Sequence, residues 1–144
     1  MGKNSYADKT VVERIAGVPL AEQSKLIDAV KAGLPYRALL NLQSILQVSC
    51  SEIGEALLIA PSTMSRRKVR GYLRPEESDR VVRLARVLDL ATSMMDGNQQ
   101  SAATWMRTPR DIFNGESPLM RSETEIGVRD VEDLIGRIRS GVFS

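Results

Sequence analysis

Histidine is missing from this 144-residue chain, cysteine occurs once, as Cys50, and tryptophan once, as Trp105. Without histidine, no side chain has an ordinary pKa suited to acid–base work near neutrality, and Cys50 has no imidazole to activate it as a nucleophile. A lone thiol excludes an internal disulfide and leaves no ligand set for zinc. No metal and no other cofactor is expected. No glycine-rich loop precedes a helix to cradle a phosphate, and acidic neighbours such as Glu76-Glu77 and Glu132-Asp133 fall on helix surfaces without a pocket signal, so a carboxylate enzyme finds no support. The opening residues MGKNSYADKT hold no apolar signal core, and no apolar run approaches the roughly 20 residues of a membrane span. A soluble, cytoplasmic, non-enzymatic protein is expected, and the single thiol agrees with a reducing compartment.

Net charge is also slight, at +2 from 20 basic and 18 acidic residues. Any contact with nucleic acid must therefore come from clustering, not from a generally basic surface. The clustering is present: Arg66, Arg67, Lys68, Arg70 and Arg74 follow one another without an intervening carboxylate. The first four of them fall at the end of the stretch 51–70, SEIGEALLIAPSTMSRRKVR, which reads as two short helices joined by a tight turn. The first helix places Ile53, Ala56 and Leu57 on one face, and the second is expected to return Met64 and Val69 to the same core. Outward on the second lie Ser62, Thr63, Ser65, Arg66, Arg67 and Lys68, short hydroxyls followed by cations long enough to reach phosphates. Leu58 falls at a turn position commonly held by glycine, where a left-handed residue costs on the order of 1 kcal/mol; either the turn is built differently here or packing of Leu57 and Ile59 offsets that cost.

Around this unit the sequence predicts an all-α chain. The first ten residues are polar and expected to fray; residues 11–18 pack locally before Pro19. An amphipathic helix over 20–31 carries Leu20, Leu26, Ile27 and Val30 and stops at Gly33. Another over 36–47 presents Leu39, Leu40, Ile45 and Leu46 as the support of the helix-turn-helix. The longest periodic run, 76–95, aligns Val81, Leu84, Ala85, Leu88, Ala91 and Met95 in one apolar stripe, with Glu76 and Glu77 complementing the dipole of its first turn. Arg80, Arg83 and Arg86 on its flank are read as a solvated face. Asp96, Gly97 and Asn98 form a turn, taken as the boundary between residues 34–97, the helix-turn-helix domain with its spine, and residues 98–144, a smaller helical part; residues 1–33 are an extension. In that last part Trp105 is core, Thr108-Pro109 closes its helix, Ser117-Pro118 opens a short helix ending near Gly127, and 128–139 is the final helix, with Val131, Leu134, Ile135 and Ile138 inward. Phe143 has two readings: it folds back as a staple on its own helix, or it tips a tail that reaches into a partner.

Taken together, these segments resemble the Xre-type antitoxins of the Xre/MbcA/ParS group, which pair with RES-domain toxins. The resemblance is carried by GLP at 33–35, STMSRRK at 62–68, GYLRPEESDRVVRLARVLDLA at 71–91, AATWM at 102–106, Pro109, Asn114-Gly115, Ser117-Pro118-Leu119, ETEIG at 123–127 and VEDLIGRIRSGVFS at 131–144. It departs from the group at Ser140, where relatives often carry histidine, and at the polar Arg121-Ser122. The resemblance implies an antitoxin with an Xre-like helix-turn-helix domain followed by a small toxin-binding domain that blocks an NAD-degrading toxin, and repression of its own operon. Ser62, Thr63, Ser65, Arg66 and Arg67 match the recognition helix, and the toxin-facing segment corresponds to Arg137, Ile138, Arg139, Ser140, Gly141, Val142, Phe143 and Ser144. A single recognition helix reads few base pairs, so a homodimer on an inverted repeat of operator DNA is expected. Two rival readings stand beside this: a dimeric helix-turn-helix regulator without a toxin, and an interaction adaptor that has lost DNA binding.

Overall fold

The computed structural model of the chain describes residues 9–141. Within them the chain is helical, and its axis is α6 (Pro75–Met94); the helices are numbered in chain order. At 20 residues α6 is about 30 Å long, and it touches α1 (Val11–Ala16), α2 (Gln23–Ala32), α3 (Tyr36–Leu46), α4 (Cys50–Leu57), α7 (Gln99–Arg107) and α9 (Glu125–Arg139). Of the expected stripe, Val81, Leu84, Ala85, Leu88 and Ala91 are buried and Met95, just past the helix end, is partly buried; Val82 and Val87 are buried as well. A helix covered from several sides buries more than one stripe.

The N-terminal extension is part of the body. The fraying expected of the first ten residues lies outside the described residues for 1–8, but Thr10 is the N-cap of α1, its hydroxyl accepting from the Glu13 N–H at 3.1 Å. Val11, Val12 and Ile15 are buried. Two N–H groups at the start of α1, those of Val11 and Val12, donate to the carboxylate of Asp89 on α6 at 2.7 and 3.1 Å. Burial pushes the Asp89 carboxyl above its usual range, partly countered by these donors and by the charge of Arg14.

Helices α4 and α5 (Pro61–Arg70) form the expected pair. Ser49 and Glu52 close a reciprocal capping box on α4. Leu58 leaves α4 in the left-handed region at φ 57° while its side chain stays exposed. Three things offset the cost: Leu57 and Ile59 are buried, the Ile59 N–H donates to the Gly54 carbonyl at 2.9 Å, and Arg80 donates to the Leu57 carbonyl at 2.7 Å. After α5 the chain runs back beside the α2–α3 junction, with Tyr36 N–H donating to Gly71 and Leu73 N–H to Leu34, both at 2.8 Å.

Several expectations are corrected. Val69 is 90% exposed instead of returning to the core, because Met64 and Arg67 occupy the inward face of α5. Leu40 and Ile27 are exposed, and Leu42 takes the inward place on α3. Arg80, Arg83 and Arg86 are not a solvated face: besides the Arg80 contact, Arg83 lies 3.8 Å from Glu125 and Arg86 4.0 Å from Glu132, tying α6 to α9. Gly127 does not end the short helix α8 (Pro118–Arg121) but sits in the first turn of α9, which starts at Glu125 behind the N-cap Thr124. Trp105 is buried, as expected, with the Arg110 guanidinium 4.9 Å from its ring centroid.

Candidate nucleic-acid and partner interfaces

Helix α5 opens with Pro61 at its first position, where the missing N–H costs nothing, and closes at Gly71 in the left-handed region. Ser62, Ser65, Arg66 and Lys68 are exposed, Thr63 is half-buried and Arg70 is exposed beyond them. Arg66 donates to the Thr63 hydroxyl at 3.0 Å, an arrangement that aims the guanidinium along the helix surface. No ion pair holds Arg66, Lys68 or Arg70 among the described residues. These cations are therefore available to an anion, and their dense spacing suits a phosphate backbone.

Arg67 is withdrawn from the outward row proposed for it. It is 6% exposed, and its Nε donates to Glu77 Oε1 at 2.8 Å. The same oxygen accepts the Arg74 N–H at 2.8 Å, so Glu77 completes one half of a capping interaction while pairing with a guanidinium. Burial alone would raise the Glu77 carboxyl; the hydrogen bonds from Arg67 and Arg74 outweigh it and hold the group below its usual range. The arrangement pins the roll of α5 against α6. Periodicity alone could not separate Arg67 from Arg66, since adjacent cations look alike until the inward face is known.

In the C-terminal part, α9 delivers the final segment of the chain. Val128, Val131 and Ile135 are buried, and Ile138 is partly buried against the same core. Arg139, Ser140 and Gly141 are exposed; Val142, Phe143 and Ser144 lie outside the described residues. Arg137 lines a polar groove of about 770 Å³ together with Ile112, Phe113, Arg121, Asp130 and Ser140. The departure at Arg121-Ser122 proves to be structural. Arg121 stacks 5.3 Å from the Phe113 centroid and bridges Glu116 at 3.1 Å and Asp130 at 2.8 Å, while the buried Ser122 hydroxyl donates to the Pro118 carbonyl at 2.7 Å.

A second groove, of about 840 Å³, escaped sequence reasoning. Leu58, Pro61, Met64 and Lys68 from the helix-turn-helix line it with Met120 and Glu123 from the C-terminal part. Leu58, an apolar residue in a turn, was its signal in the sequence. Among the described residues no cluster of histidine, cysteine, aspartate and glutamate could hold a metal ion, and no helix is long and apolar enough to cross a membrane.

Comparison with known proteins finds two family segments. Residues 25–86 match the sequence model of the antitoxin Xre-like helix-turn-helix domain, and residues 85–141 that of the antitoxin Xre/MbcA/ParS C-terminal toxin-binding domain. The chain is 36% identical to an antitoxin Xre of Yersinia enterocolitica over 91% of its own length and 89% of that protein. It is 31% identical, over the same shares, to an antitoxin Xre of Photorhabdus laumondii. A third antitoxin Xre, from Pseudomonas putida, is 30% identical over 46% of this chain and 41% of its own. With both segments in sequence, joined inside α6, the chain belongs to the Xre antitoxin family.

Proposed function

We propose that the chain is a cytoplasmic antitoxin that neutralises an NAD-degrading RES-domain toxin and represses its own operon. Neutralisation is by occlusion: the last turn of α9 and the residues after it, from Arg137 to Ser144, cover the toxin's active site so that NAD cannot enter. The chain itself performs no chemistry. Repression uses α5 in the major groove, with Ser62, Thr63, Ser65 and Arg66 towards the bases and Lys68 towards phosphate, in a homodimer on an inverted repeat.

The observation that carries the reading is that the two family segments meet within one unbroken helix. The start of α6 holds α5 through the Arg67–Glu77 pair, and further along Arg83 and Arg86 face α9. Support for occlusion comes from the end of α9, where Ile138 anchors to the core while Arg139 and Ser140 stand free of it. An apolar tip on a rigid helix can fill a pocket, and the arginines can pair with polar groups at its rim.

The test is co-expression with the product of the neighbouring gene, using an N-terminal tag on this chain. Co-purification of an inactive partner that degrades NAD once separated is expected, and removal of residues 139–144 should restore toxicity in a growth assay. A toxin still neutralised by the truncated chain would overturn occlusion. Failure to co-purify would leave a helix-turn-helix regulator without a toxin.

A further inference from the structure

We propose that Val69 reads the C5 methyl group of a thymine in duplex DNA and thereby sets part of the base sequence that α5 selects; the inference rests on the DNA-binding reading of α5. Val69 is 90% exposed, while Met64 and Arg67 fill the inward face of the same helix. Residues 62, 65, 66 and 69 stand at i, i+3, i+4 and i+7, so Val69 shares the outward row of Ser62, Ser65 and Arg66. From Ser62 to Val69 the helix rises about 10 Å, or about three base-pair steps of 3.4 Å. The row therefore spans enough of a groove floor for Ser62 and Val69 to face different base pairs.

What covers Val69 is set by its surroundings. A β-branched residue left in water on a helix forfeits burial and gains nothing in propensity. Arg66, Lys68 and Arg70 flank it, all exposed and none in an ion pair among the described residues. An apolar protein surface closing on Val69 would have to strip water from these cations without partners. A major groove meets both needs at once, with phosphates at its edges and the thymine methyl as its apolar feature. The buried Arg67–Glu77 pair fixes the roll of α5, so the valine cannot turn inward instead.

The experiment is selection of binding sites from a randomised duplex library by the full-length chain, by Val69→Ala and by Arg66→Ala. The wild-type consensus is expected to hold a thymine in each half-site whose preference collapses with Val69→Ala. Replacing that thymine by deoxyuridine, which removes only the methyl, should weaken wild-type binding about fourfold per methyl and leave Val69→Ala unaffected. An unchanged consensus with Val69→Ala, or indifference of the wild type to deoxyuridine, would overturn the inference while leaving DNA binding intact. A Val69→Ala chain that runs as a smaller species in size-exclusion chromatography and loses all duplexes equally would assign Val69 to contact between copies of this chain, and the inference would fall. If the folded wild type selects no sequence and Arg66→Ala changes nothing, the DNA-binding reading fails with it.

Discussion

Arg66 and Arg67 are adjacent, chemically identical and set in opposite surroundings. Arg66 is exposed, and on the proposed reading it faces the bases, so Arg66→Ala should weaken binding to the selected duplex by about 1–3 kcal/mol and relax its sequence preference. Arg67 is buried against Glu77. Its removal leaves a carboxylate without its guanidinium, a change that costs about 3–5 kcal/mol for a buried pair. Arg67→Ala should therefore lower the melting temperature sharply, while whatever DNA binding survives in the cold keeps the wild-type salt slope. A reduced salt slope in Arg67→Ala would place that side chain on phosphate and contradict its burial. Glu77 adds a pH dependence. Its carboxyl is held below the usual range in the folded chain, so the folded state binds its proton less readily than the unfolded chain does. Its contribution to stability is complete at neutral pH and declines as pH falls below the ordinary glutamate value of about 4.3. Glu77→Gln should be less stable than wild type at neutral pH and show a shallower loss on acidification, measured by urea unfolding at a series of pH values. The sequence offered these cations as a group; only the inward face of α5 separates them, and that face is set by α6, ten residues further along the chain.

Helix α9 contains two glycines whose roles are opposed, although both are helical residues. A Cβ built on Gly127 would lie 1.7 Å from the Arg121 carbonyl oxygen and 2.9 Å from its carbon, both backbone atoms that cannot swing aside. A Cβ on Gly136 meets nothing within 4 Å. Gly127→Ala should destabilise the chain by about 1–3 kcal/mol, since overpacking against backbone outweighs the gain in helix propensity. Gly136→Ala should stabilise it by about 0.5–1 kcal/mol. Denaturant midpoints of the two variants, measured side by side, check both signs; a neutral Gly127→Ala would mean that α8 and α9 are not held at this close approach. Helices of strong period were legible in the sequence, α6 and α9 above all, because their buried positions repeat over several turns. Gly127 was not, since a glycine at a crossing point and a glycine at a helix end look the same without the neighbouring element. The same holds for α1: six residues are too few for a clear period, and its anchor, Asp89, lies 78 residues away in sequence from Val11.

At the scale of the molecule, apolar periodicity shows which face of a helix is buried but not against what, and the Asp96-Gly97-Asn98 turn invites a division that packing does not respect. One connected core includes Leu39, Leu42 and Leu46 of α3, Leu84 and Leu88 of α6, Ala102 and Met106 of α7, and Val128 and Ile135 of α9. Contacts of α3 and α6 with α7, of α4 with α8 and of α6 with α9 cross the turn. A fragment of residues 1–97 would keep the helix-turn-helix but lose the cover on α3, α4 and α6. Exposing even four large side chains at about 1.5–3 kcal/mol each costs an amount comparable with the whole stability of a typical domain, about 5–15 kcal/mol. The full chain should therefore unfold in one calorimetric transition, with equal calorimetric and van't Hoff enthalpies. Residues 1–97 alone should lack a cooperative melt and bind duplex DNA without sequence preference, because α5 keeps its charges but loses the frame that fixes its orientation. Two resolved transitions in the full chain, or a fragment that melts cooperatively and selects the same sites, would show that the halves fold separately. One cooperative body means that, on the proposed reading, a toxin held at α9 and a DNA groove held at α5 meet the same rigid frame, and that a destabilising substitution in either half lowers the occupancy of both surfaces together.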